Sequence, residues 1–509
     1  ETKTICSILQ YQGSSSCLMT LWYCLDMESH LGRNNLISIY TMFDLLKFKN
    51  DKAVITDRNE VLTYGQLSEE VERFASAFPQ KGLVFTLCEN LLGSFVGYVA
   101  CMNKHIPQVL LDGSKDLELV QRLIGIYKPE YIWMPTARID EIGGEIIYQY
   151  QEYSLKQMTY DNPITEKEIN TELLLCLTTS GSTGSPKLVR LSERNLKSNA
   201  ESIAKYLKIT ADERPVATLP MYYSYGMSVI NSHLVKGATI LLTDKAMTQR
   251  EFWAFTKEQK ATSIAGVPYT YEMLRRLRFF RMDLPELKTM IQAGGKLNAA
   301  YVKEFVDFAK ESAKEFIVMY GQTEAAPRMS YLPFDKAVEK NASIGIAIPG
   351  GELSVVDADG NVITEPEVDG ELLYKGENVC LGYAEVRADL LKGDENHGVL
   401  HTGDIAKFDT DGFFYITGRM KRFVKVWGNR TNLDAIEQLV KAITPNCACG
   451  GVDDLITVFV TEDGLEEKIK NLLVEKTGFN PRAFQVKKID AIPVKTSGKI
   501  DYPELQKMI

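Results

Sequence analysis

The chain has 509 residues, which is too long for one ordinary domain, so at least two domains are expected. Hydrophobic residues make up 45% and charged residues 25% of the chain, the balance of a globular protein with substantial cores. The formal net charge of -9 is mild for this length and argues against a nucleic-acid binder that works through bulk charge.

The cysteines and histidines give no sign of a structural metal. Nine cysteines are scattered without a C-x-x-C pair, and the five histidines follow no metal-ligand spacing. We therefore expect reduced thiols in a cytoplasmic protein. No apolar run approaches the roughly 18 residues that suggest a membrane span, so no membrane partner is expected.

Along the chain, residues 1–36 are interpreted as an extension of unknown role, with "CLMTLWYCL" only a weak signal-peptide candidate. From Ile37 onward, strands alternate with helices: "KAVIT" precedes "LTYGQLSEEVERFASAF", and "GLVFTLCE" precedes "LLGSFVGYVACMNK". The apolar stretches "TSIAGVP", "KTMIQAGG" and "KEFIVMYGQTE" each end in a glycine-containing loop. This alternation predicts an α/β fold of mostly parallel sheets flanked by helices, with ligand sites at the carboxyl ends of the strands.

The pattern changes after residue 345, where "GELSVVDADGNVI", "GELLYKG" and "DGFFYITGRM" predict a small antiparallel section with Asp-Gly and Gly turns. The end of the chain returns to mixed segments, with helices "NLDAIEQLVKAI" and "LEEKIKNLLVEKTG" around the strand "LITVFV". We therefore predict a large N-terminal domain over residues 37–418 and a small α+β C-terminal domain over residues 419–509.

The stretch "LTTSGSTGSPKLVRLS" lies between the predicted strand "ELLLCLTT" and a helical segment, "ERNLKSNAESIAKYL", with Ser192 as its N-cap. A strand, a loop of Gly, Ser and Thr, and then a lysine can wrap a phosphate, because backbone N–H groups, hydroxyls and a charge converge there. A Walker loop is excluded, since Pro186 precedes Lys187 where that motif needs glycine. The ordering predicts an anion-binding loop.

"TTSGSTGSPK" resembles the phosphate loop of the adenylate-forming enzymes, which include acyl-CoA synthetases, peptide-synthetase adenylation domains and luciferases. Further motifs follow in family order: "MYGQTEA", "HTGD", "GRMKRFVKVWGNRTNLDAIE" and "PVKTSGKID". The resemblance covers residues 37–509. It implies ATP-dependent activation of a carboxylic acid to acyl-AMP with release of pyrophosphate, and then transfer of the acyl group to a thiol.

The resemblance assigns the β- and γ-phosphates of ATP to one set of residues: Thr179, Ser180, Gly181, Ser182, Thr183, Gly184 and Lys187. In "YGQTE", it implies that Tyr320, followed by Gly321, stacks on adenine. Thr323 would donate to the α-phosphate and Glu324 would hold Mg²⁺, an ion that needs few protein ligands.

Other motifs imply contacts to the rest of the nucleotide. Asp404 would accept hydrogen bonds from the ribose hydroxyls, with Arg419 nearby. Gly294 and Gly295, in the "QAGGK" turn, would lie against adenine and the acyl group.

The C-terminal motifs imply a domain that moves between two half-reactions. Lys499, in "TSGKID", would be the catalytic lysine that stabilises developing negative charge during adenylation. The hinge would lie at Lys421, and Lys425, Gly428 and Arg430 would form part of the face used in the thioester step.

The acid pocket departs from the family pattern. In "LPMYYSYGMS", Tyr223 stands where relatives often have a histidine, and the predicted pocket residues are Tyr223, Tyr225, Gly226 and Met227. Amino-acid-activating relatives place an aspartate at about Tyr223, whereas no acidic residue occurs from Met221 to Ser228. An α-ammonium group would lack a counter-charge there, so we expect an acid without one. The alternative is that some of these tyrosines pack in the core.

We therefore predict an AMP-forming acid–thiol ligase that uses ATP, Mg²⁺ and coenzyme A. Because the C-terminal domain is short around "CACGGVDDLITVF", the phosphopantetheine of a carrier protein is the alternative acceptor. The rival from another class is a catalytically retired nucleotide-binding protein. Against it stand the intact motif residues Lys187, Thr323, Glu324, Asp404 and Lys499.

Overall fold

The computed structural model describes residues 41–114, 117–161, 168–178, 187–420, 422–427, 429–495 and 500–509. Residues Glu1–Asp44 and Leu45–Ile509 are separate compact units. Of the first unit, residues 41–44 are described, and they form neither helix nor strand. Everything below concerns the second unit.

Strands run through the whole second unit. In chain order they are β1 (Lys52–Thr56), β2 (Val61–Thr63), β3 (Val84–Cys88), β4 (Gln108–Asp112), β5 (Tyr131–Pro135), β6 (Glu145–Tyr150), β7 (Tyr153–Gln157), β8 (Leu173–Thr178), β9 (Leu188–Ser192), β10 (Pro215–Ala217), β11 (Ile240–Leu242), β12 (Ser263–Gly266), β13 (Thr289–Gln292), β14 (Glu315–Gly321), β15 (Arg328–Tyr331), β16 (Ile346–Ala347), β17 (Gly351–Val356), β18 (Gly370–Gly376), β19 (Gly382–Ala384), β20 (Val399–Phe408), β21 (Phe414–Arg419), β22 (Phe423–Val426), β23 (Asn429–Asn432), β24 (Cys447–Val452), β25 (Leu455–Val460) and β26 (Phe484–Lys488).

The α-helices alternate with these strands in the first part of the chain and again near its end. They are α1 (Tyr64–Ser76), α2 (Leu92–Asn103), α3 (Leu117–Tyr127), α4 (Glu193–Tyr206), α5 (Ser224–Leu234), α6 (Arg250–Glu258), α7 (Pro268–Arg276), α8 (Ala299–Glu311), α9 (Leu433–Lys441), α10 (Glu466–Thr477) and α11 (Tyr502–Lys507). Among the described residues, none of these helices is both long enough and apolar enough to cross a bilayer.

Two large sheets have parallel centres and antiparallel edges. The first has the order β16-β15-β14-β13-β12-β10-β11-β1-β2, parallel from β14 to β1 and antiparallel at β15, β16 and β2. The second has the order β19-β9-β8-β4-β3-β5-β7-β6, with β8, β4, β3 and β5 parallel. Both centres are built from strongly buried, apolar strands, as parallel strands covered by helices require. The α/β prediction is confirmed.

The predicted phosphate loop joins two antiparallel strands. Thr178 at the end of β8 pairs with Leu188 at the start of β9, so the last five residues of the predicted loop stretch form a strand. Helix α4 then begins after Ser192, whose side chain accepts from the backbone N–H of Asn195, while the Asn195 side chain accepts from the backbone N–H of Ser192. This reciprocal capping confirms Ser192 as the N-cap of the helix. Strand β9 separates the loop from that helix.

The rest of the unit contains two smaller sections. The antiparallel sheet β17-β18-β20-β21 confirms the section predicted after residue 345. Farther along, the hairpin β22-β23 and the sheet β24-β25-β26 pack with α9 and α10 around a separate core that includes Val424, Ile436, Val458, Leu473 and Phe484. A separate core is what a small α+β domain needs, although the boundary near Gly418 stays a prediction.

Candidate active site

The predicted nucleotide motifs follow neighbouring strands of the first sheet. Strands β13 and β14 are parallel partners, with Gln292 opposite Val318. The Gly294–Gly295 turn follows β13, and the motif residues Thr323 and Glu324 follow β14. Because parallel strands end at the same edge of a sheet, the fold brings these motifs together, as expected for an α/β ligand site.

The glycine turn lies against the predicted acid pocket. Gly294 has φ +83°, a conformation that favours glycine. A Cβ there would stand 2.6 Å from the hydroxyl oxygen of Tyr223 and 3.0 Å from Cγ1 of Val267, whereas at Gly295 it would stand 3.2 Å from Pro268. Tyr223 is half-buried, and burial raises its pKa to about 12, so its hydroxyl stays protonated at neutral pH. The turn and the pocket residue are thus in direct contact.

Asp404 is the centre of a hydrogen-bond network that joins three motifs. Its carboxylate is only 3% exposed. One oxygen, Oδ2, accepts from the Tyr320 hydroxyl and from Nε2 of Gln322 at 3.1 Å, and Oδ1 pairs with Nε of Arg419 at 3.1 Å. Burial and the neighbouring Asp404 raise the pKa of Tyr320 well above its ordinary value, which keeps its hydroxyl a donor.

These contacts leave limited room for further donors. A carboxylate offers about four acceptor positions, and three donors already approach Asp404. A ribose diol would therefore take the remaining position and displace one donor. Arg419 is the easiest donor to displace, because its side chain is 58% exposed and an exposed ion pair contributes little.

Glu371 holds the "HTGD" segment in place. Its Oε1 accepts from the backbone N–H of Gly403 at 3.1 Å, and its Oε2 lies 3.0 Å from Nδ1 of His401. The Thr402 hydroxyl donates to the carbonyl of Leu372 at 2.7 Å. These bonds to β18 fix the backbone that carries the predicted ribose ligand.

Thr323 and Glu324 contact two different elements. The Thr323 hydroxyl lies 3.2 Å from that of Ser224, the first residue of α5. Oε1 of Glu324 accepts from the Tyr383 hydroxyl at 2.8 Å, and burial together with Glu324 raises the pKa of that tyrosine. The backbone carbonyl of Glu324 accepts from the N–H of Cys380 at 2.8 Å. The start of α5 and strand β19 therefore flank this motif.

Lys187, at the end of the predicted phosphate loop, reaches the same place. Its Nζ lies 2.5 Å from Oε1 of Glu385 and 5.8 Å from the ring centre of Tyr383. Tyr383 thus contacts Lys187 through its ring and Glu324 through its hydroxyl. Strand β19, which pairs with β9 through Tyr383 and Val189, links the phosphate-loop lysine to the predicted metal ligand.

The remaining pocket residues are largely inside the protein. Tyr225 is 2% exposed and donates to the carbonyl of Ile291 at 2.7 Å, and Met227 is fully buried. A Cβ at Gly226 would lie 2.3 Å from the carbonyl oxygen of Pro220, so the glycine permits close packing of α5. Tyr225 therefore has a structural contact of its own, and its contact with the acid stays a prediction.

A magnesium ion at this site would need phosphate oxygens of the nucleotide as ligands, in addition to protein carboxylates. Within the described ranges, no group of three or more His, Cys, Asp or Glu side chains could hold a metal ion. Mg²⁺ retains waters and is commonly bound by one or two carboxylates plus phosphate oxygens. Glu324, half-buried next to Thr323, offers one such carboxylate.

Several predicted site residues lie outside the described residues: 179–184, Lys421, Gly428 and Lys499. The side chain of Arg430 is also outside the description. Lys425 is exposed on β22, and its backbone N–H donates to Asp453 at 3.0 Å.

Four polar residues at the site were not predicted: Gln322, Glu371, Tyr383 and Glu385. Gln322 occupies the variable position of Y-G-x-T-E, and the others stand outside any motif in the sequence. The pairing of β18 with β20 brings Glu371 to the site, and the pairing of β19 with β9 brings Tyr383 and Glu385 there.

The chain is similar to several known proteins. Feruloyl-CoA synthase of Amycolatopsis sp is 27% identical over 347 residues, which span 65% of this chain and 68% of the relative. Oxalate–CoA ligase of Arabidopsis thaliana is 28% identical over 346 residues, spanning 64% of this chain and 65% of the relative. ATP-bound MatB from Rhodopseudomonas palustris has the same fold, with a TM-score of 0.74 at 21% identity over 93% of this chain and 98% of that protein.

Residues 45–384 match the family described as AMP-binding enzyme, which is well over half of the chain. This stretch contains the glycine turn, Lys187 and the Thr323–Glu324 motif. The chain belongs to the AMP-binding enzyme family.

Proposed function

We propose that the protein is an AMP-forming acid–thiol ligase that uses ATP to convert a carboxylic acid to acyl-AMP and passes the acyl group to coenzyme A. The observation that carries this proposal is that Glu324, which follows β14 of the first sheet, and Lys187, which precedes β9 of the second sheet, both contact Tyr383. Thr323 and the glycine turn lie at the same end of the first sheet. The names of the two relatives, a CoA synthase and a CoA ligase, support coenzyme A as the acceptor.

In the first half-reaction, a substrate carboxylate oxygen attacks the α-phosphorus of ATP, and pyrophosphate leaves. This displacement needs alignment and charge neutralisation more than covalent help. Thr323 donates to the α-phosphate. Lys187 breaks its ion pair with Glu385 and pairs with the β- and γ-phosphates, which leave as pyrophosphate. Glu324 fits Mg²⁺, which would neutralise charge on the phosphate oxygens.

The nucleotide is oriented by the Asp404 network. Asp404 accepts from the ribose hydroxyls, and Tyr320, whose hydroxyl is tied to Asp404, presents its ring to adenine. Gly294 and Gly295 leave room beside Tyr223 for the adenine and the acyl group to approach.

The second half-reaction requires a different arrangement of the C-terminal section. Lys499 supports the first step and then leaves, so that a thiol reaches the acyl-AMP after rotation about Lys421. Lys425, Gly428 and Arg430 form part of the surface that faces the thiol in this step. This proposal is supported by the separate hydrophobic core of the C-terminal section, which allows it to move as a unit.

The direct test is ATP–pyrophosphate exchange with purified protein over a panel of carboxylic acids, followed by mass spectrometry of thioesters after addition of coenzyme A. We expect exchange with at least one acid and an acyl-CoA product from the same acid. ATP binding without exchange for any acid would contradict the proposal, and exchange without acyl-CoA would contradict its second half.

A matched pair of acidic residues sharpens the test. Glu324→Gln keeps the hydrogen bond with Tyr383 but removes the charge, so exchange should fall by at least about a hundredfold, as when a transition-state electrostatic contact is lost. Glu385→Gln removes the carboxylate paired with Lys187, which also contacts Tyr383, and should retain exchange. Equal losses in the two variants would contradict the role given to Glu324.

A further inference from the structure

Buried arginines in this protein come in two kinds. Arg190, Arg328 and Arg387 are 0%, 1% and 5% exposed. Arg190 pairs with Glu395 at 2.5 Å, and Arg387 pairs with Glu130 at 2.5 Å. For Arg328, by contrast, no carboxylate oxygen lies within 4.0 Å of the guanidinium in the part of the chain that the structure describes.

The contacts of Arg328 are all to neutral groups. Its Nε donates to Oγ of Ser228 at 3.2 Å, and Nη1 approaches the Tyr206 hydroxyl at 3.4 Å and the sulfur of Met319. The guanidinium carbon lies 4.5 Å from the ring centre of Tyr225. Nη2 is buried and has no hydrogen-bond partner among the described residues.

A buried charge with an unused donor is costly, and an aromatic ring and neutral hydroxyls compensate for only part of that cost. A guanidinium cannot lose its proton, so the protein cannot escape the cost by neutralising it. An anion that enters with the substrate would supply the missing partner and complete a charge-assisted hydrogen bond to Nη2.

Helix α5 connects Arg328 to the reacting end of the pocket. Ser224 on this helix lies 3.2 Å from Thr323, and Ser228 accepts from Arg328. Residues four apart share one face of a helix and are separated by about 6 Å along it. Arg328 therefore lies on the face of α5 that Thr323 contacts, about one helical turn farther along.

We propose that Arg328 determines the specificity of the acid pocket, and that the substrate is a dicarboxylic acid whose second carboxylate binds the guanidinium. This inference rests on the function proposed above. One carboxylate oxygen of the substrate forms the bond to the α-phosphorus while the bond to pyrophosphate breaks, and the second carboxylate stays unchanged. The helical spacing between Ser224 and Ser228 fits a short carbon spacer between the two carboxylates.

The test compares acids that differ only in the second carboxylate. Pyrophosphate exchange is measured with succinate, glutarate and adipate and with the matched monocarboxylates butyrate, pentanoate and hexanoate. We expect at least one dicarboxylate to exceed its monocarboxylate in kcat/KM by about a hundredfold or more, because a site that must pair a buried polar group rejects the analogue without its partner.

Two substitutions separate specificity from folding. Arg328→Met should lower kcat/KM for the dicarboxylate about a hundredfold more than for the matched monocarboxylate, whereas Arg328→Lys keeps the charge and should retain part of the preference. The melting temperature is measured for each protein with and without the dicarboxylate, and we expect that ligand to raise it for the wild type and not for Arg328→Met.

The outcomes separate this inference from the proposed function. Exchange by the wild type with monocarboxylates but with none of the dicarboxylates would overturn the role of Arg328 and leave the ligase activity standing. Exchange with no acid at all would overturn the ligase activity itself. If Arg328→Met lowers exchange equally for both members of a pair, Arg328 is structural and the inference fails; if the variant does not fold, the wild-type comparison still decides.

Discussion

Replacing Asp404 with asparagine tests whether this carboxylate binds the ribose of ATP. In the structure, the carboxylate accepts from Tyr320, Gln322 and Arg419. An asparagine side chain keeps one acceptor oxygen and turns an N–H₂ group toward one of those donors. Arg419 is 58% exposed and can turn to water, whereas Tyr320 and Gln322 are half-buried, so water replaces a lost acceptor less readily for these two donors.

The magnitude follows from the number of bonds lost. Leaving one buried donor unsatisfied costs about 1–3 kcal/mol, so we expect the free energy of unfolding to fall by about 1–3 kcal/mol. Hydrogen bonds from the ribose hydroxyls to a charged acceptor contribute about 1.5–3 kcal/mol each before the displaced donor is counted. A net loss near 2.7 kcal/mol corresponds to roughly a hundredfold weaker binding of ATP.

The assay measures the dissociation constants of ATP and of 2′,3′-dideoxy-ATP by calorimetric titration. The wild type should bind ATP roughly a hundredfold more tightly than the dideoxy nucleotide, and Asp404→Asn should bind the two about equally. Tyr320→Phe is the control, because it removes one donor and keeps the carboxylate, so it should retain the discrimination. If Asp404→Asn still discriminates as the wild type does, the ribose does not bind Asp404.

Three further changes test other parts of the site. Lys499→Ala should lower ATP–pyrophosphate exchange by orders of magnitude but preserve thioester formation from supplied acyl-AMP, since the lysine stabilises charge only in the first transition state; equal losses would refute the two-step picture. Gly294→Ala should raise the KM for the acid, because its methyl group would meet the Tyr223 hydroxyl, and adding Tyr223→Phe should partly restore it. Burial lowers the pKa of His233 from 6.5 to about 4, so the unfolded state takes up the proton first as the pH falls. Relative to His233→Gln, the unfolding free energy should therefore fall between pH 6.5 and pH 4 by about 3 kcal/mol in denaturant titrations, and no difference would show that folding does not lower the pKa of His233.

The sequence predicted those parts of the fold that depend on local patterns. Strands such as Lys52–Thr56 and helices such as Tyr64–Ser76 follow from periodicity, and the structure adds a cap on that helix by Thr63 and Gln66. The strand Leu188–Ser192 was missed because a run of five residues gives little periodic signal, and its neighbours in space come from residues 173–178 and 382–384. Short strands are specified mainly by their partners.

The site shows the same division. Ordered motifs predicted Thr323, Glu324 and Asp404 as functional residues, because each occurs in a recognisable run of sequence. The residues that contact these motifs were not predicted. Tyr383 reaches Glu324 from 59 residues away, and Glu371 reaches Gly403 from 32 residues away. Such contacts arise from strand pairing, which one sequence does not reveal.

The acid pocket combines both kinds of information. The sequence stretch from Met221 to Ser228 lacks an acidic residue, which already argued against a substrate α-ammonium group. The structure places a cation next to this stretch, since Arg328 lies against Tyr225 and Ser228. An ammonium group there would lack a counter-charge and would also be repelled by the guanidinium, and both effects grow as water is excluded. A substrate carboxylate would instead be attracted to the guanidinium of Arg328, and it would need no acidic residue from α5. In the proposed acid pocket, the absence of an acidic residue from Met221 to Ser228 and the absence of a carboxylate partner for Arg328 among the described residues would both favour anionic and disfavour cationic substituents.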